Sequence, residues 1–152
     1  MNQPEIIIGL ISDTHGQLRP QVIDNLKGCD VIIHAGDICN DEIITRLLKI
    51  SPVYPVAGNM DRKGIYPASD IIQIGEYLIY IIHDIAAIDL DLEAAGIDIV
   101  IFGHSHQPTR FMRENITFIN PGSAGPERPH RPISMARMRL TQNQIITDFI
   151  EL

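Results

Sequence analysis

The stretch of residues 6–16, which reads IIIGLISDTHG, decides the fold: six apolar or small residues are followed at once by a short polar group. β-Branched isoleucine favours strands, and an unbroken apolar run of this length is typical of a strand that is buried on both faces. Asp13 and His15 stand directly after that run, beside Gly16. The sequence therefore predicts a buried strand, residues 6–11, whose carboxyl end carries chemically reactive side chains.

The same arrangement occurs four more times along the chain. Later apolar runs are followed by the groups His34-Ala35-Gly36-Asp37, Gly58-Asn59-Met60-Asp61, His83-Asp84 and Gly103-His104-Ser105-His106. Ligands of α/β sheets bind outside the carboxyl ends of the strands. We therefore expect these side chains, although they are distant in sequence, to converge on one rim of the structure.

Two amphipathic segments separate the first three strands. Residues 18–27 carry apolar side chains on one helical face, with Pro20 in the first turn, and residues 41–50 repeat that pattern after Asn40, a suitable helix cap. Both segments are predicted as helices. The first half of the chain therefore reads βαβαβ, which implies a parallel sheet covered on both faces.

The second half of the chain is richer in strands. The sequence predicts a hairpin around Gly75-Glu76, a short helix at residues 89–95, and further strands at residues 97–102, 110–113, 117–119, 133–140 and 144–151. These strands suggest a second, mixed sheet. The expected fold is α/β, a four-layer α-β-β-α sandwich in which two mixed β-sheets are flanked by helices, formed as a single domain by residues 1–152.

Composition and charge limit the class of protein. The 152 residues suit one globular domain, with 45% hydrophobic and 20% charged residues. The formal net charge of −7 makes extended nucleic acid an unlikely partner, because such partners usually meet a basic surface, although bound divalent cations would reverse the local field. A small phosphate ester is compatible with this charge.

The sequence also carries expectations about location. Residues 1–4 lack a basic start, residues 6–11 are too short for a signal peptide, and no run approaches the roughly 20 apolar residues of a membrane span. The two cysteines, Cys29 and Cys39, fit reduced thiols. We therefore expect a cytoplasmic protein with no membrane segment.

Spacing within the polar groups indicates a metal site. In an extended segment, residues i and i+2 point to the same side, so that Asp13 with His15, and His104 with His106, are each expected to present two ligands to one place. A mixed set of carboxylate and imidazole ligands suits Mn, Fe, Co, Ni or Zn. Asp37, alone after its glycine, is expected to bridge two metal ions.

Five motifs occur in a fixed order: Asp13-x-His15, Gly36-Asp37, Gly58-Asn59, His83 and Gly103-His104-x-His106. In this order they resemble the calcineurin-like metallophosphoesterase superfamily. The short chain, the form Gly58-Asn59-x-Asp61 and the later Asn120-Pro121-Gly122-Ser123 resemble its small bacterial and archaeal phosphodiesterase branch. The resemblance extends from Asp13 to Ser123 and implies a double β-sandwich flanked by helices.

The resemblance implies two divalent metal ions, with Mn²⁺ as the first expectation and Ni²⁺, Fe²⁺, Co²⁺ or Zn²⁺ as alternatives. One metal would be held by Asp13, His15, Asp37 and His106, and the other by Asp37, Asn59, His83 and His104. A hydroxide shared by the two metals would attack phosphorus in line. Asp37 and Asn59 are expected to be catalytic, because Asp37 joins the metals and Asn59 reaches both a metal and the phosphate.

Two positions depart from the resemblance. Met60 follows the Gly58-Asn59 pair, where many larger relatives carry a histidine thought to protonate the leaving group, a contribution on the order of 10²–10⁴ in rate. His83 is followed by Asp84 and Ile85 instead of glycine and a second histidine. We therefore expect easily displaced alcohols or a proton from water, and additional negative charge near the site.

The expected function is hydrolysis of a small phosphodiester. A phosphomonoesterase is the nearest alternative, and a non-catalytic metal-binding scaffold is another, because a eukaryotic retromer subunit resembles this fold. The complete set of seven ligating side chains favours an enzyme. A homo-oligomer is possible.

Three further residues receive lesser roles. His34 is expected in the core instead of among the ligands, and Asp61 is expected to orient a neighbouring ligand or turn. His130 reads as a surface residue between Arg128 and Arg131, two side chains that can reach a phosphate.

Overall fold

The computed structural model describes residues 5–152; residues 1–4, on which part of the expectation about a leader rests, lie outside this range. The chain forms two five-stranded mixed sheets. The elements of the first half are β1 (Ile6–Ile11), α1 (Pro20–Leu26), β2 (Val31–His34), α2 (Asp41–Leu48) and β3 (Val53–Pro55). Those of the second half are β4 (Ser69–Ile74), β5 (Tyr77–Ile82), a 3₁₀ helix (Ile85–Ala87), β6 (Ile99–Ile101), β7 (Thr109–Arg113), β8 (Ile116–Asn120), β9 (Ser134–Leu140) and β10 (Ile145–Glu151).

The first sheet has the strand order β10-β9-β1-β2-β3. β1 and β2 are parallel, with Ile8 opposite Val31, and β2 is parallel to β3. β9 returns from the far end of the chain to pair antiparallel with β1, with Ile8 opposite Met138. β1 is therefore enclosed between strands on both sides, which explains why its carboxyl-terminal half, Ile8–Ile11, is fully buried.

The second sheet has the strand order β4-β5-β6-β8-β7. β4 and β5 form the predicted hairpin, with Ile74 opposite Tyr77 and Gly75 at φ 59° in the turn. β5, β6 and β8 run parallel to one another at the centre of the sheet. As in the first sheet, the parallel strands end at the same edge, so that the loops following them share one side of the molecule.

The core lies between the sheets and is rich in isoleucine. Ile8 and Ile33 from the first sheet pack in one cluster with Ile79, Ile81 and Ile101 from the second, and all five are fully buried. Burying each such side chain contributes about 1.5–3 kcal/mol relative to leaving it exposed. The isoleucine-rich pattern of the sequence therefore supplies the contact that holds the two sheets together.

The outer layers differ between the two sheets. α1 and α2 cover the first sheet, with Val22 and Leu26 of α1 and Ile43 and Leu47 of α2 buried against it. Asn40 caps α2, as expected, because its side chain accepts a hydrogen bond from the Glu42 N–H at 3.0 Å.

The second sheet is covered by the 3₁₀ helix and by turns at residues 89–96. The fold class expected from the sequence is confirmed, while the predicted helix at 89–95 is wrong. Asp91 closes single turns there instead, since its side chain accepts the Ala94 N–H at 3.1 Å and its carbonyl accepts the Ala95 N–H at 3.0 Å. No helix within residues 5–152 is long and apolar enough to cross a membrane.

Candidate metal centre

Loops that follow β1 and β2 in the first sheet meet loops that follow β5 and β6 in the second. They bring Asp13 and His15, Asp37, His83, and His104 and His106 to one rim. The Asp13 N–H donates to the Gly36 carbonyl at 2.9 Å, and the Gly103 N–H donates to the His83 carbonyl at 2.9 Å. Backbone hydrogen bonds therefore join neighbouring loops within each sheet, and the expected convergence is observed.

Asp13 lies at the centre of this rim. Its Oδ1 atom is 3.2 Å from His106 Nε2, 3.7 Å from His83 Nε2 and 3.8 Å from His15 Nε2. Two overlapping groups of ligand atoms result, Asp13 with His15 and His106, and Asp13 with Asp37 and His83, each within 4.8 Å of one another. The atoms are thus close enough for each group to surround one cation.

Asp37 also faces both groups. Its Oδ2 atom is 3.3 Å from His83 Nε2 and 3.7 Å from His15 Nε2, while its Oδ1 atom accepts a hydrogen bond from the Met60 N–H at 2.8 Å. Asp37 is buried, with 3% of its surface exposed. This position between two histidines suits the bridging role expected from the sequence, which stays a prediction.

The backbone at these residues is not extended. Asp13, His15, Asp37, His104 and His106 all have positive φ, between 46° and 73°. The expectation that these segments are extended is therefore wrong. Asp13 and His15 nevertheless meet, whereas His104 and His106 separate, with His106 beside Asp13 and His104 beside His83. Left-handed backbone costs about 1–2 kcal/mol for a residue with a Cβ, and aspartate and histidine are among those that adopt it more often.

Two buried atoms at the centre have no hydrogen-bond partner. His83 Nδ1 lies 2.7 Å from the Ala35 carbonyl, so Nδ1 carries a hydrogen, and Nε2 presents a lone pair to the site whenever the ring is neutral. Asp13 Oδ2 accepts from the Ser12 hydroxyl at 2.6 Å and the His104 N–H at 3.1 Å, which leaves Oδ1 unpaired. Two acceptors facing each other at 3.7 Å repel unless a cation or a proton lies between them. The residues present therefore fit a divalent metal ion.

His104 and Asn59 border this centre without entering its tight groups. The His104 ring is 5.2 Å from the His83 ring, about half of its side chain is exposed, and its Nε2 atom is 3.7 Å from Asp84 Oδ2. Asn59 is exposed and lines a pocket of about 690 Å³ together with His83 and His104. Their assignment as ligands of a second metal stays a prediction.

Charge at the centre favours ionised carboxylates. Burial alone would raise the pKa values of Asp13 and Asp37, but hydrogen bonds and the nearby histidines outweigh it, so both pKa values are lowered. Burial alone would lower the pKa of His83, yet the Asp37 and Asp13 carboxylates raise it. The pKa of His15 is lowered, first by burial and to a smaller extent by His106 and Arg128.

The raised pKa of His83 predicts proton release on metal binding. A metal at Nε2 must displace the proton that the two carboxylates hold there, so affinity should fall as pH falls through the pKa of His83. Calorimetric metal titrations in two buffers of different ionisation enthalpy, at about pH 6 and about pH 9, should show more protons released at the lower pH. Equal release at both pH values, or the same pH dependence in His83→Asn, would contradict this prediction.

Several residues brace the loops. Asp61 accepts hydrogen bonds from the Ile38, Cys39 and Gly58 N–H groups at 2.8–3.0 Å, which ties the loop of Asp37 to the loop of Asn59. This geometry agrees with the orienting role expected for Asp61. These three bonds hold the two loops in a fixed position relative to each other.

Three other braces come from serine and asparagine. Ser12, which the sequence reasoning missed, donates to Asp13; Ser123 donates to the Asp13 carbonyl at 3.0 Å, and Asn120 donates to the Gly103 carbonyl at 3.0 Å. The motif that contains Asn120 and Ser123 does border the site. The only signal for Ser12 was its position immediately before Asp13.

His34 lies in the core, as expected. Its Nδ1 atom accepts the Gly36 N–H at 3.2 Å and its Nε2 atom is 2.9 Å from the Thr14 hydroxyl, so the ring is the neutral tautomer with hydrogen on Nε2. Burial lowers the pKa of His34 to about 4. A neutral, fully hydrogen-bonded ring supports the loop of Asp37 without adding charge to the site.

The two departures from the resemblance have different surroundings. Met60 is 62% exposed and holds Asp37 through its backbone N–H. Asp84 caps the 3₁₀ helix by accepting the Ala86 N–H at 2.9 Å, and its other oxygen faces His104. The extra negative charge expected from Asp84 is therefore present beside His104.

The chain is similar in sequence to known phosphoesterases. Residues 6–143 match the calcineurin-like phosphoesterase superfamily domain. A probable metallophosphoesterase of Methanothermobacter thermautotrophicus is 35% identical over 135 residues, covering 78% of this chain and 77% of that protein.

Two solved structures are similar in fold. Vacuolar protein sorting 29 of Cryptosporidium parvum has a TM-score of 0.85 and 24% identity, covering 97% of this chain and 92% of that one. An archaeal phosphodiesterase has a TM-score of 0.78 and 21% identity, covering 97% of this chain and 100% of that one. At these identities the similarity extends to the fold alone.

Proposed function

This chain belongs to the calcineurin-like phosphoesterase superfamily, and from that premise we propose that it is a metal-dependent phosphodiesterase acting on a small phosphodiester. The observation that carries the metal dependence is the pair of buried, unpartnered acceptors, Asp13 Oδ1 and His83 Nε2, 3.7 Å apart. Only a cation or a proton relieves that contact, and the surrounding carboxylates and imidazoles suit a divalent transition metal.

Two metal ions are proposed, with Mn²⁺ as the first choice. Asp13, His15, Asp37 and His106 would hold one, and Asp37, Asn59, His83 and His104 the other. Divalent metals at such a site supply a hydroxide at neutral pH and neutralise charge on the phosphoryl group.

The preference for a diester is supported by the space on both sides of His104. A pocket of about 690 Å³ extends from His104 towards Tyr80, and a cleft of about 560 Å³ extends from His104 towards Arg131. A phosphodiester carries two organic groups on one phosphorus atom, so each group can occupy one cavity. A monoester would leave one cavity unused.

The chain's own residues have distinct roles. Ser12 and the His104 N–H fix the Asp13 carboxylate, and the Met60 N–H fixes Asp37, so the ligand atoms are oriented before any metal binds. The exposed amide of Asn59 is available to donate to a phosphoryl oxygen. The thioether of Met60 cannot donate a proton, so the leaving group must depart as a stable alkoxide or be protonated by water.

Hydrolysis of bis(4-nitrophenyl) phosphate by metal-stripped protein, with Mn²⁺, Ni²⁺, Zn²⁺ or Mg²⁺ added back singly, tests this proposal. We expect a transition metal to restore turnover and the diester to be preferred over 4-nitrophenyl phosphate, its monoester counterpart. A clear preference for the monoester would make the protein a phosphomonoesterase. Stoichiometric metal binding with no turnover on a broad panel of esters would favour a scaffold, a role that the fold shared with vacuolar protein sorting 29 keeps as an alternative.

A further inference from the structure

The cleft beside His104 and His106 is lined by basic groups. His104 and His106 form one side of it, and Arg128, His130 and Arg131 form the other, in a volume of about 560 Å³. No aspartate or glutamate is among its lining residues. We call it the basic cleft. In a chain whose formal net charge is −7, a concentration of two arginines and three histidines around one cavity is a marked departure from the average surface.

The opposite side of the site has a different character. The 690 Å³ pocket that shares His104 with the basic cleft is lined by three aspartates, Asp61, Asp84 and Asp89, together with Lys63, His83, Tyr66 and Tyr80. The two cavities therefore differ in their acidic residues, since three line the pocket and none lines the cleft. A negatively charged substituent of a substrate bound across both cavities is better accommodated on the side of the cleft.

The arginines are held on a short turn. The Arg131 N–H donates to the Arg128 carbonyl at 3.2 Å, and His130 between them adopts φ 61°. Arg131 Nε donates to the Ser105 carbonyl at 3.3 Å, which anchors the turn to the loop between His104 and His106. The guanidinium of Arg128 has no hydrogen-bond or ion-pair partner among residues 5–152.

Arg131 also donates to the His130 carbonyl at 3.3 Å through Nη1. Both arginines line the basic cleft and also a neighbouring depression that contains Glu127 and Glu151, and the donors of Arg128 are unused among residues 5–152. A guanidinium group presents its N–H donors in a planar fork that matches two oxygens of a phosphate. The group that satisfies both arginines best is a phosphate dianion, because it offers several acceptor oxygens and the charge that the cleft lacks.

We propose that the basic cleft binds a second phosphate of the substrate, carried on the organic group that lies on the Arg128 and Arg131 side. This proposal rests on the proposed phosphodiesterase function. The natural substrate is then an asymmetric phosphodiester. One of its organic groups carries a further phosphate, and the other is uncharged or cationic and fits the aspartate-lined pocket. This assignment names a substrate class for the site and a role for two arginines outside the metal ligands.

Direct binding tests the proposal without requiring turnover. Calorimetry should compare thymidine 3′,5′-bisphosphate with thymidine 5′-monophosphate on the protein, in the presence and in the absence of Mn²⁺. With Mn²⁺ we expect the additional phosphate to tighten binding by about tenfold, the size expected of charge-assisted hydrogen bonds in an open cleft. Because the cleft is exposed, that advantage should shrink as salt is raised.

Arg128→Gln and Arg131→Gln should each reduce the advantage of the bisphosphate, and the double variant should abolish it. The Arg128 side chain makes no hydrogen bond or ion pair among residues 5–152, so its replacement should leave folding unchanged. Arg46→Gln on α2 removes the same charge from an exposed position away from the cleft and is the matched control. Arg46→Gln should keep the advantage of the bisphosphate and should hydrolyse bis(4-nitrophenyl) phosphate within about twofold of the unaltered protein, because its charge lies away from the cleft.

The outcomes are separable. Equal affinity for the two nucleotides in the unaltered protein, or an advantage that survives in the double variant, would overturn the proposal for the basic cleft. Absence of hydrolysis with every metal would overturn the phosphodiesterase function while leaving the binding comparison decisive for the cleft. A dinucleotide with a 5′-phosphate distinguishes two sources of the second phosphate. If its internal phosphate tightens binding as much as its terminal phosphate does, the ligand is an oligonucleotide end. If the terminal phosphate alone tightens binding, the ligand is a small bisphosphorylated molecule.

Discussion

Asp37→Asn is expected to reduce metal-dependent hydrolysis on the order of 10³-fold or more, and Asp37→Ala is expected to abolish it. The Asp37 carboxylate lies between His83 and His15, 3.3 and 3.7 Å from their Nε2 atoms, and is buried. Asparagine retains the oxygen that accepts the Met60 N–H, so the loop should keep its shape while the charge between the two histidines is lost. Steady-state rates on bis(4-nitrophenyl) phosphate measure the effect.

The same substitution tests whether Asp37 binds metal or is an ordinary buried carboxylate. Metal at about a hundred times its dissociation constant stabilises the folded protein by about 2.7 kcal/mol, which raises Tm by about 5–10 °C in a protein of this size. Asp37→Asn should lose most of that rise. In metal-free protein it should lower Tm, because the lowered pKa of Asp37 means that its ionised form stabilises the folded state at neutral pH.

Asp24→Asn is the matched control for charge, since Asp24 lies on α1 with 70% of its side chain exposed and pairs only with Lys27. It should keep both activity and the response of Tm to metal. An Asp37→Asn protein with undiminished hydrolysis and an undiminished metal response would remove Asp37 from the site and with it the proposed pair of metals.

Gly58→Ala is expected to reduce hydrolysis by about 100-fold, because a misplacement of about 1 Å at a catalytic group has an effect of this size. A Cβ at residue 58 would overlap the side chain and the backbone nitrogen of Asp37, with the Asp37 Cγ atom only 2.7 Å away. Backbone cannot rotate aside as a side chain can, so Asp37 must move. Overpacking of this kind also lowers the free energy of unfolding by about 1–3 kcal/mol.

Gly9→Ala is the control for that loss of stability. Its Cβ would meet the tip of Leu26 and the Cys29 sulfur at 3.2 Å, in the layer between β1 and α1, away from the rim. Denaturant unfolding should show a loss of stability in both variants, smaller in Gly9→Ala because the end of the Leu26 side chain can shift, whereas metal affinity and activity of the folded protein should fall in Gly58→Ala alone. Equal activity in the two variants would show that the contact of Gly58 with Asp37 does not position the site.

In its metal-free form the site lowers the stability of the fold. Asp13, His15, Asp37, His104 and His106 hold left-handed backbone, and Asp13 Oδ1 and His83 Nε2 are buried without partners. Such strain is maintained only where the surrounding structure determines the conformation, and it is concentrated at functional sites. Here the conformation is fixed by hydrogen bonds that involve Ser12, Asp61, Asn120 and Ser123. Ser12, Asp61 and Ser123 stand outside the named strands and helices and Asn120 ends β8, and hydrophobic periodicity gives no indication of their hydrogen bonds.

Much of the fold could be predicted because its elements have local signals. The apolar run at residues 6–11, the Gly75-Glu76 turn and Asn40 before α2 each specify a structure through neighbouring residues. The segment at residues 89–95 could not be predicted in this way. Its apolar residues Leu90 and Leu92 pack against the outer face of the second sheet from turns, so the burial pattern is set by that sheet and not by a helix.

The sequence by itself determined which chemical groups the site contains. Parallel strands in one sheet end on the same side, and the site residues stand directly after predicted strands or in the short loops that follow them: Asp13, Asp37, His83 and His106. The tertiary structure alone decided how those groups are used. The pairing of β9 with β1 joins residues about 130 positions apart, the Ala35 carbonyl selects the tautomer of His83, and the loops from two sheets set the different acidic content of the basic cleft and the aspartate-lined pocket. Strand formation depends on neighbours in sequence, whereas tautomers, left-handed turns and local fields depend on atoms brought together from distant parts of the chain.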